Sequence, residues 1–366
     1  MPTKPIKVLH VIARLNIGGT ARYLHHLIPR LRNENVDVLL AVGRIQEGEV
    51  EDSSLQDLEY KRIESLGRRV DPINDLKSYL ALRRIVKEFN PDIIHSHTFK
   101  AGLLSRLMFI KIPKVHTFHG HLLTDPEFSK FEVKIICIIE RLLSKITKKL
   151  IVTGDQVAKD LLLSKIGEEN KYISIPGELE IKPLRSRREA RYELGIGNTF
   201  AIFWLARMAT VKQPKLFIEV ARMCPEFIFV MCGEGSELES MKSHAPSNLK
   251  FLGMINPADY LSAADVFVST SANEGIPYSI MEAQAAGLPV VAVDSGAISE
   301  IVEDGINGFL TRADAEELAF RIIELNMNEK LRTKLGSAAA TNSNQRLMKP
   351  RISRSHSKVY SGIIRK

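Results

Sequence analysis

Short β-branched runs alternate with amphipathic stretches along the first half of the chain. KVLHVI (7–12), VDVLLAV (36–42), DIIHSH (92–97), KVHTFH (114–119) and KLIVTG (149–154) read as strands. Helical spacing lies between them, as in TARYLHHLIPRLRNE. The alternation restarts after Ile175 with FAIFWLA (200–206), EFIFVMC (226–232), NLKFLG (248–253), DVFVST (265–270) and PVVAVD (289–294). The pattern predicts an α/β chain of two Rossmann-like, doubly wound parallel-sheet domains in series, 1–175 and 176–345, followed by a segment 346–366. The changeover is expected near Pro176 to Pro183, where Pro, Gly and a charge run interrupt any apolar period. From Gly336 to Ser357 the pattern is weak, and only SKVYSGIIRK regains helical spacing. Sheets of this kind hold ligands at the carboxyl ends of their strands, so two such edges facing one another make a cleft between the domains.

A length of 366 residues fits two cores better than one. Hydrophobic residues at 45% and charged residues at 26% are those of a globular chain, with no apolar run near the roughly 18 residues of a membrane span. The apolar run after the first lysines is too short for a signal peptide, and a cytoplasmic protein is expected. Cys137, Cys224 and Cys232 lie in apolar segments without metal-ligand spacing and read as reduced thiols. The net charge of +8 is uneven: residues 1–175 carry 28 Lys+Arg against 21 Asp+Glu, while 341–366 carry 7 basic and no acidic residues. Such surfaces suit an anionic membrane, a phosphate-bearing substrate or nucleic acid. The basic residues are dispersed and do not interleave with aromatics, which counts against nucleic acid.

The motifs follow the strands. After DVFVST comes SANEGIPYSIMEAQAAG, in which Gly275 and Pro277 form a turn and a helix begins near Tyr278 and Ser279. Its N-terminus is a ready anion site, with Glu274 in the loop before it and Glu282 about one turn inside. A capping acid and a solvent-facing helical Glu are the bland alternative. Arg207 and Lys212 directly follow FAIFWLA and suit a diphosphate, although loop cations are common on any surface. Gly18-Gly19 between strand and helix permits close approach to a phosphate or sugar, or a simple tight turn. Gly233-Glu234-Gly235 is half of a dinucleotide fingerprint whose third glycine is replaced by Leu238, so NAD is discounted.

His95, His97, His116, His119 and His121 alternate along two strands and their exits. Strand alternation accounts for that spacing better than zinc, because no acid or Cys completes a ligand set. His119, with Gly120, ends a strand where an imidazole can donate to a sugar hydroxyl or carbonyl. With no Asp-x-Asp in the chain, no metal and no cofactor are expected, and protein cations must hold any diphosphate. Lys130 to Leu150 combines apolar residues with Lys130, Lys134, Arg141, Lys145, Lys148 and Lys149. A packing helix with a basic outer face is preferred there over an interfacial membrane helix.

Taken in order, GGT, HTFHG, LAR…K, CGEG, FLG and ADVFVSTSANEGIPYSIMEAQAAGLPVVAVDSGAISEIVEDGINGFL resemble the retaining family-4 glycosyltransferases of GT-B fold, over residues 6 to about 335. HTFHGH and IERLLSKITKKLIV are similar to bacterial enzymes that build capsule, lipopolysaccharide or lipid-linked oligosaccharides. The resemblance implies an acceptor-binding first domain and a second that binds a nucleotide-diphosphate-sugar, a UDP-sugar before a GDP-sugar. It assigns Glu282 to the donor ribose, Glu274 and His119 to the transferred sugar, and Arg207, Lys212 and Gly19, beside Gly18, to the diphosphate. Backbone N–H groups around Ile276 to Ile280, those of Tyr278 and Ser279 among them, would complete the sugar and phosphate contacts, with Gly275 and Pro277 in the same donor-binding segment. Gly233 and the loop from Phe251 through Leu252 to Met254 would border the base.

The implied partners are a glycan or polyprenyl-linked acceptor and peripheral contact with the anionic inner face of the cell membrane. Ala206 stands where the family usually has Gly, and IPGELE replaces a commoner Asn/Gly-rich interdomain segment. The family ends in a helix that returns to the first domain, whereas this tail departs from the pattern and carries +7 back to a half of +7. A catalytically silent binding protein and a GT-B epimerase or phosphorylase are the competing expectations; the additional acids or the pyridoxal-bearing Lys that the last two need are not located.

Overall fold

The computed structural model describes residues 4–46, 49–52, 58–68, 70–179, 184–347 and 351–365. The chain divides into two compact units: Met1–Leu123, Phe128–Glu178 and Pro350–Lys366 form the first, and Leu179–Lys349 with Thr124–Glu127 the second. Of the linker expected near Pro176 to Pro183, residues 180–183 lie outside the described residues. So do 348–350 and 366 of the expected C-terminal segment.

The first unit runs β1 (Ile6–Ile12), α1 (Gly19–Leu31), β2 (Val36–Val42), β3 (Tyr60–Arg62), α2 (Pro72–Phe89), β4 (Ile93–His97), α3 (Phe99–Arg106), β5 (Lys114–Phe118), α4 (Lys130–Ile146), β6 (Lys149–Val152), α5 (Asp155–Leu163) and β7 (Tyr172–Ser174). Its seven strands are ordered β3-β2-β1-β4-β5-β6-β7, all parallel. The chain reverses its direction across the sheet between β1 and β4, the switch point at which loops splay apart. Because successive side chains alternate, Val8, Ile12, Ile93 and Val115 face one core with α1, and Leu9, Val11 and Ile94 face another.

The second unit runs α6 (Arg187–Leu194), β8 (Ala201–Leu205), α7 (Pro214–Met223), β9 (Ile228–Cys232), α8 (Leu238–Ser243), β10 (Leu249–Gly253), α9 (Pro257–Tyr260), β11 (Val266–Ser269), α10 (Tyr278–Ala285), β12 (Val290–Val293), β13 (Gly308–Thr311), α11 (Ala315–Met327) and α12 (Glu329–Leu347). Its parallel sheet is ordered β10-β9-β8-β11-β12-β13, with the switch between β8 and β11. Helix α13 (Ile352–Ile364) belongs to the first unit.

Among the described residues all ten strands expected from the pattern are present, with three more: β3, β7 and β13. Each of these is a three- or four-residue edge strand. So short a run has no room for a legible alternation, and it becomes a strand through the hydrogen bonds of its one neighbour.

The weak pattern from Gly336 onward is corrected by the structure: α12 continues through it to Leu347, and α13 begins again at Ile352. Leu335, Ala339 and Ser343, one helical turn apart, are buried, and Gly336 lies so close to Gly287 that a Cβ would strike the Gly287 carbonyl oxygen. Small residues let two backbones approach, and they leave no hydrophobic signature in the sequence. In α13, Ile352, Ser353, His356, Tyr360 and Ile363 are buried. The tail's charge is no obstacle to this packing, because Arg351, Arg354, Lys358 and Arg365 are exposed and the helix buries a neutral face.

Helix α4 also departs from expectation. Its buried residues include Glu140, whose carboxylate receives two hydrogen bonds, 2.8 and 2.7 Å, from the buried Arg106 guanidinium of α3. The outer face is not simply basic. Phe131, Ile135, Ile138, Leu142 and Ile146 recur at helical spacing and are 41–71% exposed, flanked by exposed Lys130, Lys134 and Lys145. No helix among the described residues is long and apolar enough to cross a membrane.

Candidate functional site

In the second unit the chemistry gathers where β8 and β11 lie side by side. The loop leaving β8 carries Arg207 and, in a single 3-10 turn (Thr210–Lys212), Lys212. The loop leaving β11 carries Glu274 and leads into α10. The Lys212 ammonium pairs with the Glu274 carboxylate, both side chains being mostly shielded. Trp204 Nε1–H donates to Thr270 Oγ1 at 2.9 Å, and the Thr270 hydroxyl donates to the Lys212 carbonyl at 2.7 Å. The end of β11 thus fixes the backbone that presents the cation. A further bond, Ala272 N–H to the Val211 carbonyl at 2.8 Å, ties the two loops together.

Two glycines make these loops geometrically feasible. Gly233 sits at φ +133, and a Cβ there would run into the Ala206 carbonyl oxygen, one residue before Arg207. Around that approach Ala206 N–H donates to the Cys232 carbonyl at 3.1 Å and Met208 N–H to the Glu234 carbonyl at 2.9 Å. Gly296, at φ +54, presses on the backbone of Glu274, whose carbonyl accepts from Ala297 N–H at 3.0 Å. Sequence reasoning passed over Gly296. Its signal was a glycine just beyond a strand, the same signal that drew notice at Gly233.

Helix α10 starts at Tyr278, with Pro277 as its uncapped N-terminal neighbour. Pro277 makes no side-chain cap hydrogen bond, and the first-turn N–H groups are directed to whatever lies before the helix. Gly275 and Pro277 are buried, Ile276 and Ser279 half-buried, and Ile280 fully buried; Glu282 lies one turn in, on a half-buried position. Phe251 and Leu252 lie in the edge strand β10, where the strand reading of 248–253 puts them, and the stretch assigned to the base is a loop only beyond Gly253, whose backbone turns to φ +64. Gly233 N–H donates to the Gly253 carbonyl at 2.7 Å, which brings the ends of β9 and β10 together.

The first unit holds the remaining site residues. Gly18 precedes α1 at φ +154 with open space where a Cβ would stand, and Gly19 is the helix's first residue. His119 lies just beyond β5, half-buried. Its Nε2 is 3.0 Å from His97 Nδ1; His97 Nε2 is 3.0 Å from His10 Nδ1; His10 Nε2 is 3.2 Å from Tyr360 Oη. Tyr360 Oη is in turn 2.7 Å from His95 Nδ1, and His95 Nε2 is 2.7 Å from Thr117 Oγ1. The sheet register explains the chain: His10 is opposite His95, and His97 is opposite Thr117, so all four point to the face that α13 covers.

The other two histidines go elsewhere. His116, on the opposite parity, bonds Ser96 Oγ at 2.9 Å, and His121 pairs with Asp160 at 3.0 Å. Burial pushes His10, His95, His97 and His116 well below the ordinary imidazole value, His119 down to about 3 and His356 to about 4. These rings are neutral at pH 7. His10, His95 and His97 also bring one nitrogen each within 4.8 Å of one another, a set different from the five that sequence spacing suggested. Both nitrogens of each are engaged by protein partners.

Sequence reasoning missed His10, Thr117 and Tyr360. The alternating register of β1 with β4 was the only hint available for His10; nothing local could place a residue of α13 beside it.

Two family models match the chain: Glycosyltransferase Family 4 over residues 17–172, and Glycosyl transferases group 1 over residues 186–342. The chain is 28% identical over 328 residues to the UDP-Gal:alpha-D-GlcNAc-diphosphoundecaprenol alpha-1,3-galactosyltransferase of Escherichia coli, covering 83% of this chain and 84% of the relative. It is 29% identical over 311 residues to the alpha-monoglucosyldiacylglycerol synthase of Streptococcus pneumoniae, covering 72% of this chain and 66% of the relative. Among solved structures, Anabaena Alr3699/HepE in complex with UDP-glucose superposes with a TM-score of 0.81 at 20% identity, over 98% of this chain and 100% of that one. The two parallel sheets with their switch points, and the two family models that between them span both units, carry one conclusion: the chain belongs to the family-4 glycosyltransferases and has their GT-B fold.

Proposed function

We propose that this glycosyltransferase moves a sugar, with retention of anomeric configuration, from a nucleotide-diphosphate-sugar to a glycan or polyprenyl-linked acceptor in cell-surface polysaccharide synthesis. The observation that carries the reading is the juxtaposition at the second sheet's switch point. A guanidinium-bearing loop, an ammonium paired with an acid, and an uncapped helix N-terminus all leave the carboxyl ends of two adjacent strands. That is where an open α/β sheet holds a ligand, and the groups suit a diphosphate next to a sugar. The E. coli relative's name supports a UDP-linked donor and a diphosphoundecaprenol acceptor, and the pneumococcal relative's name a lipid acceptor. A UDP-sugar is accordingly preferred to a GDP-sugar, with no metal and no further cofactor.

In this mechanism Arg207, Lys212 and the first turn of α10 neutralise the leaving diphosphate as the sugar passes through an oxocarbenium-like state. Glu274 and His119 are assigned to the transferred sugar and Glu282 to the donor ribose. With Lys212 already paired to Glu274, the donor phosphate has to share that ammonium, and its arrival leaves Glu274 free to turn to the sugar. The departing phosphate oxygen takes the acceptor's proton. Gly18 and Gly19 are assigned to the diphosphate, and Gly233, Phe251 and Leu252 to the base. The backbone from Gly275 through Ile276, Pro277, Tyr278 and Ser279 to Ile280 meets the phosphate and sugar.

The acceptor's lipid and the exposed face of α4 belong together in this reading. An apolar stripe of Phe131, Ile135, Ile138, Leu142 and Ile146 flanked by lysines fits the headgroup boundary of an anionic bilayer, at the cytoplasmic face. The test is incubation with radiolabelled UDP- and GDP-sugars and sugar-diphospho-polyprenol acceptors, with the product anomer read by NMR. Transfer with an anomer matching the donor supports the proposal. Binding of every donor without turnover makes the chain a silent binding protein, and an inverted anomer removes the retaining mechanism.

A further inference from the structure

Neutral imidazole offers one N–H donor and one acceptor nitrogen, so a file of imidazoles bonded nitrogen to nitrogen has only two self-consistent directions. The file in the first unit runs His119, His97, His10, Tyr360, His95, Thr117, with every link between 2.7 and 3.2 Å. His10, His95, His97 and Thr117 are fully buried, as is Tyr360, so the whole file is shielded from bulk solvent and a mismatch is costly. One end is the half-buried His119, whose Nδ1 has no protein partner among the described residues. The other end is a hydroxyl.

The hydroxyl settles the direction. If the protons pointed from His119 inward, His95 Nε2–H would donate to Thr117 Oγ1, and the Thr117 hydroxyl proton would need an acceptor of its own. Among the described residues it has none: His95 is its one hydrogen-bonding partner. A buried, unsatisfied O–H is disfavoured. In the opposite direction every proton is used. Thr117 O–H donates to His95 Nε2, His95 Nδ1–H to Tyr360 Oη, Tyr360 O–H to His10 Nε2, His10 Nδ1–H to His97 Nε2, and His97 Nδ1–H to His119 Nε2. His119 then carries its proton on Nδ1, outward.

We propose that Thr117 and Tyr360 are positioning residues that fix His119 as the Nδ1–H tautomer, so that it presents a hydrogen-bond donor, and that the C-terminal helix α13 sets the chemistry of His119 by closing the file through Tyr360. The functional consequence rests on the reading that His119 meets the transferred sugar; the tautomer itself does not. A donor nitrogen suits a sugar hydroxyl or carbonyl oxygen, whereas the other tautomer would present a lone pair to it.

Long-range ¹H–¹⁵N correlation spectra of [¹⁵N]histidine-labelled full-length protein at neutral pH test the file directly. In the wild type, His119 is expected as Nδ1–H with an unprotonated Nε2. Thr117→Val, which keeps the shape and removes the end donor, should convert His119 to the Nε2–H form or a mixture. Thr117→Ser should restore the wild-type pattern. Tyr360→Phe should scramble the tautomers as Thr117→Val does, and if it fails to fold, the Thr117 pair alone decides. Turnover should fall roughly tenfold or more in Thr117→Val, with the donor KM changed little, and recover in Thr117→Ser. A wild-type His119 in the Nε2–H form overturns the proposal, as does an Nδ1–H signal unmoved by Thr117→Val. A tautomer change without any change in turnover upholds the file and removes His119 from the sugar.

Discussion

Lys212 and Glu274, 62 residues apart in the chain, pair their side chains where the loops leaving β8 and β11 meet. The pair couples the group assigned to the leaving diphosphate with the group assigned to the sugar, so neither can be changed without disturbing the other.

Replacing Arg207 and Glu282 in turn should separate chemistry from binding. Arg207→Ala is expected to raise the barrier by about 3 to 4 kcal/mol if the guanidinium meets charge that develops only in the transition state. Glu282→Gln should weaken donor binding by about 1.5 to 3 kcal/mol through loss of charge-assisted hydrogen bonds, with kcat little altered. Steady-state kinetics together with donor titration calorimetry distinguish the two. An Arg207→Ala enzyme with wild-type turnover would remove that residue from the mechanism.

Gly233→Ala should damage both fold and site. Alanine at φ +133 is strained, and its methyl group would collide with the carbonyl just before Arg207. A loss of about 2 to 3 kcal/mol in stability is expected, together with weakened donor binding. Urea unfolding reads the first and thermal shift with UDP the second. A variant as stable as the parent would mean that the two loops do not approach this closely.

The Arg106–Glu140 pair is a stability device of the first unit, with both side chains almost wholly removed from solvent. Glu140→Gln should cost about 3 to 5 kcal/mol, because it leaves a buried guanidinium without its countercharge. Double replacement by Arg106→Met and Glu140→Leu is expected to recover much of that loss. Chemical denaturation of the three proteins gives the answer, and equal stabilities would argue that water reaches the pair.

Acid should loosen the first unit before it reaches ordinary carboxylate titration. His356 and His119 hold values of about 4 and about 3, depressed from 6.5 chiefly by burial. Below about pH 6.5 the unfolded chain binds protons that the folded chain refuses, so stability is fully present above that point. It drains away as pH falls through 6 and 5 toward 4, by up to about 1.4 kcal/mol per pH unit for each neutral buried histidine. Unfolding midpoints measured from pH 8 to pH 4 should fall steeply below 6.5. A flat profile would show that these rings are protonated in the native state.

Serine replacement of Phe131, Ile138 and Leu142 should reduce binding to vesicles containing anionic phospholipid while leaving transfer to a water-soluble acceptor intact. Cosedimentation with liposomes measures the first effect and should also weaken with added salt. Retention that survives all three substitutions would place the membrane contact elsewhere.

Both sheets were legible in the chain because fully buried strands need near-continuous β-branched runs, and ten of the thirteen satisfied that need. The edge strands β3, β7 and β13 were not, since one-sided pairing imposes little on three or four residues. In the same way α12 packs through Ala339, Ser343 and Gly336, residues chosen for their small size, which a hydrophobic pattern cannot register. For α4 the exposed lysines were legible, but not the apolar stripe that shares the outer face with them, because which residues meet the core depended on Glu140 finding Arg106.

What the sequence by itself determined is the menu of chemistry and its attachment to strand ends: Arg207, Lys212, Glu274 and His119 each follow a strand, and Glu282 lies one turn inside the helix after one. Only the tertiary structure decided which of them meet. Lys212 reaches Glu274 because β8 and β11 are neighbours across a topological switch, and Tyr360 reaches His10 because α13 returns to the first sheet. Contacts between residues so far apart in the chain are set by sheet order and helix packing, and no local preference of the backbone encodes either.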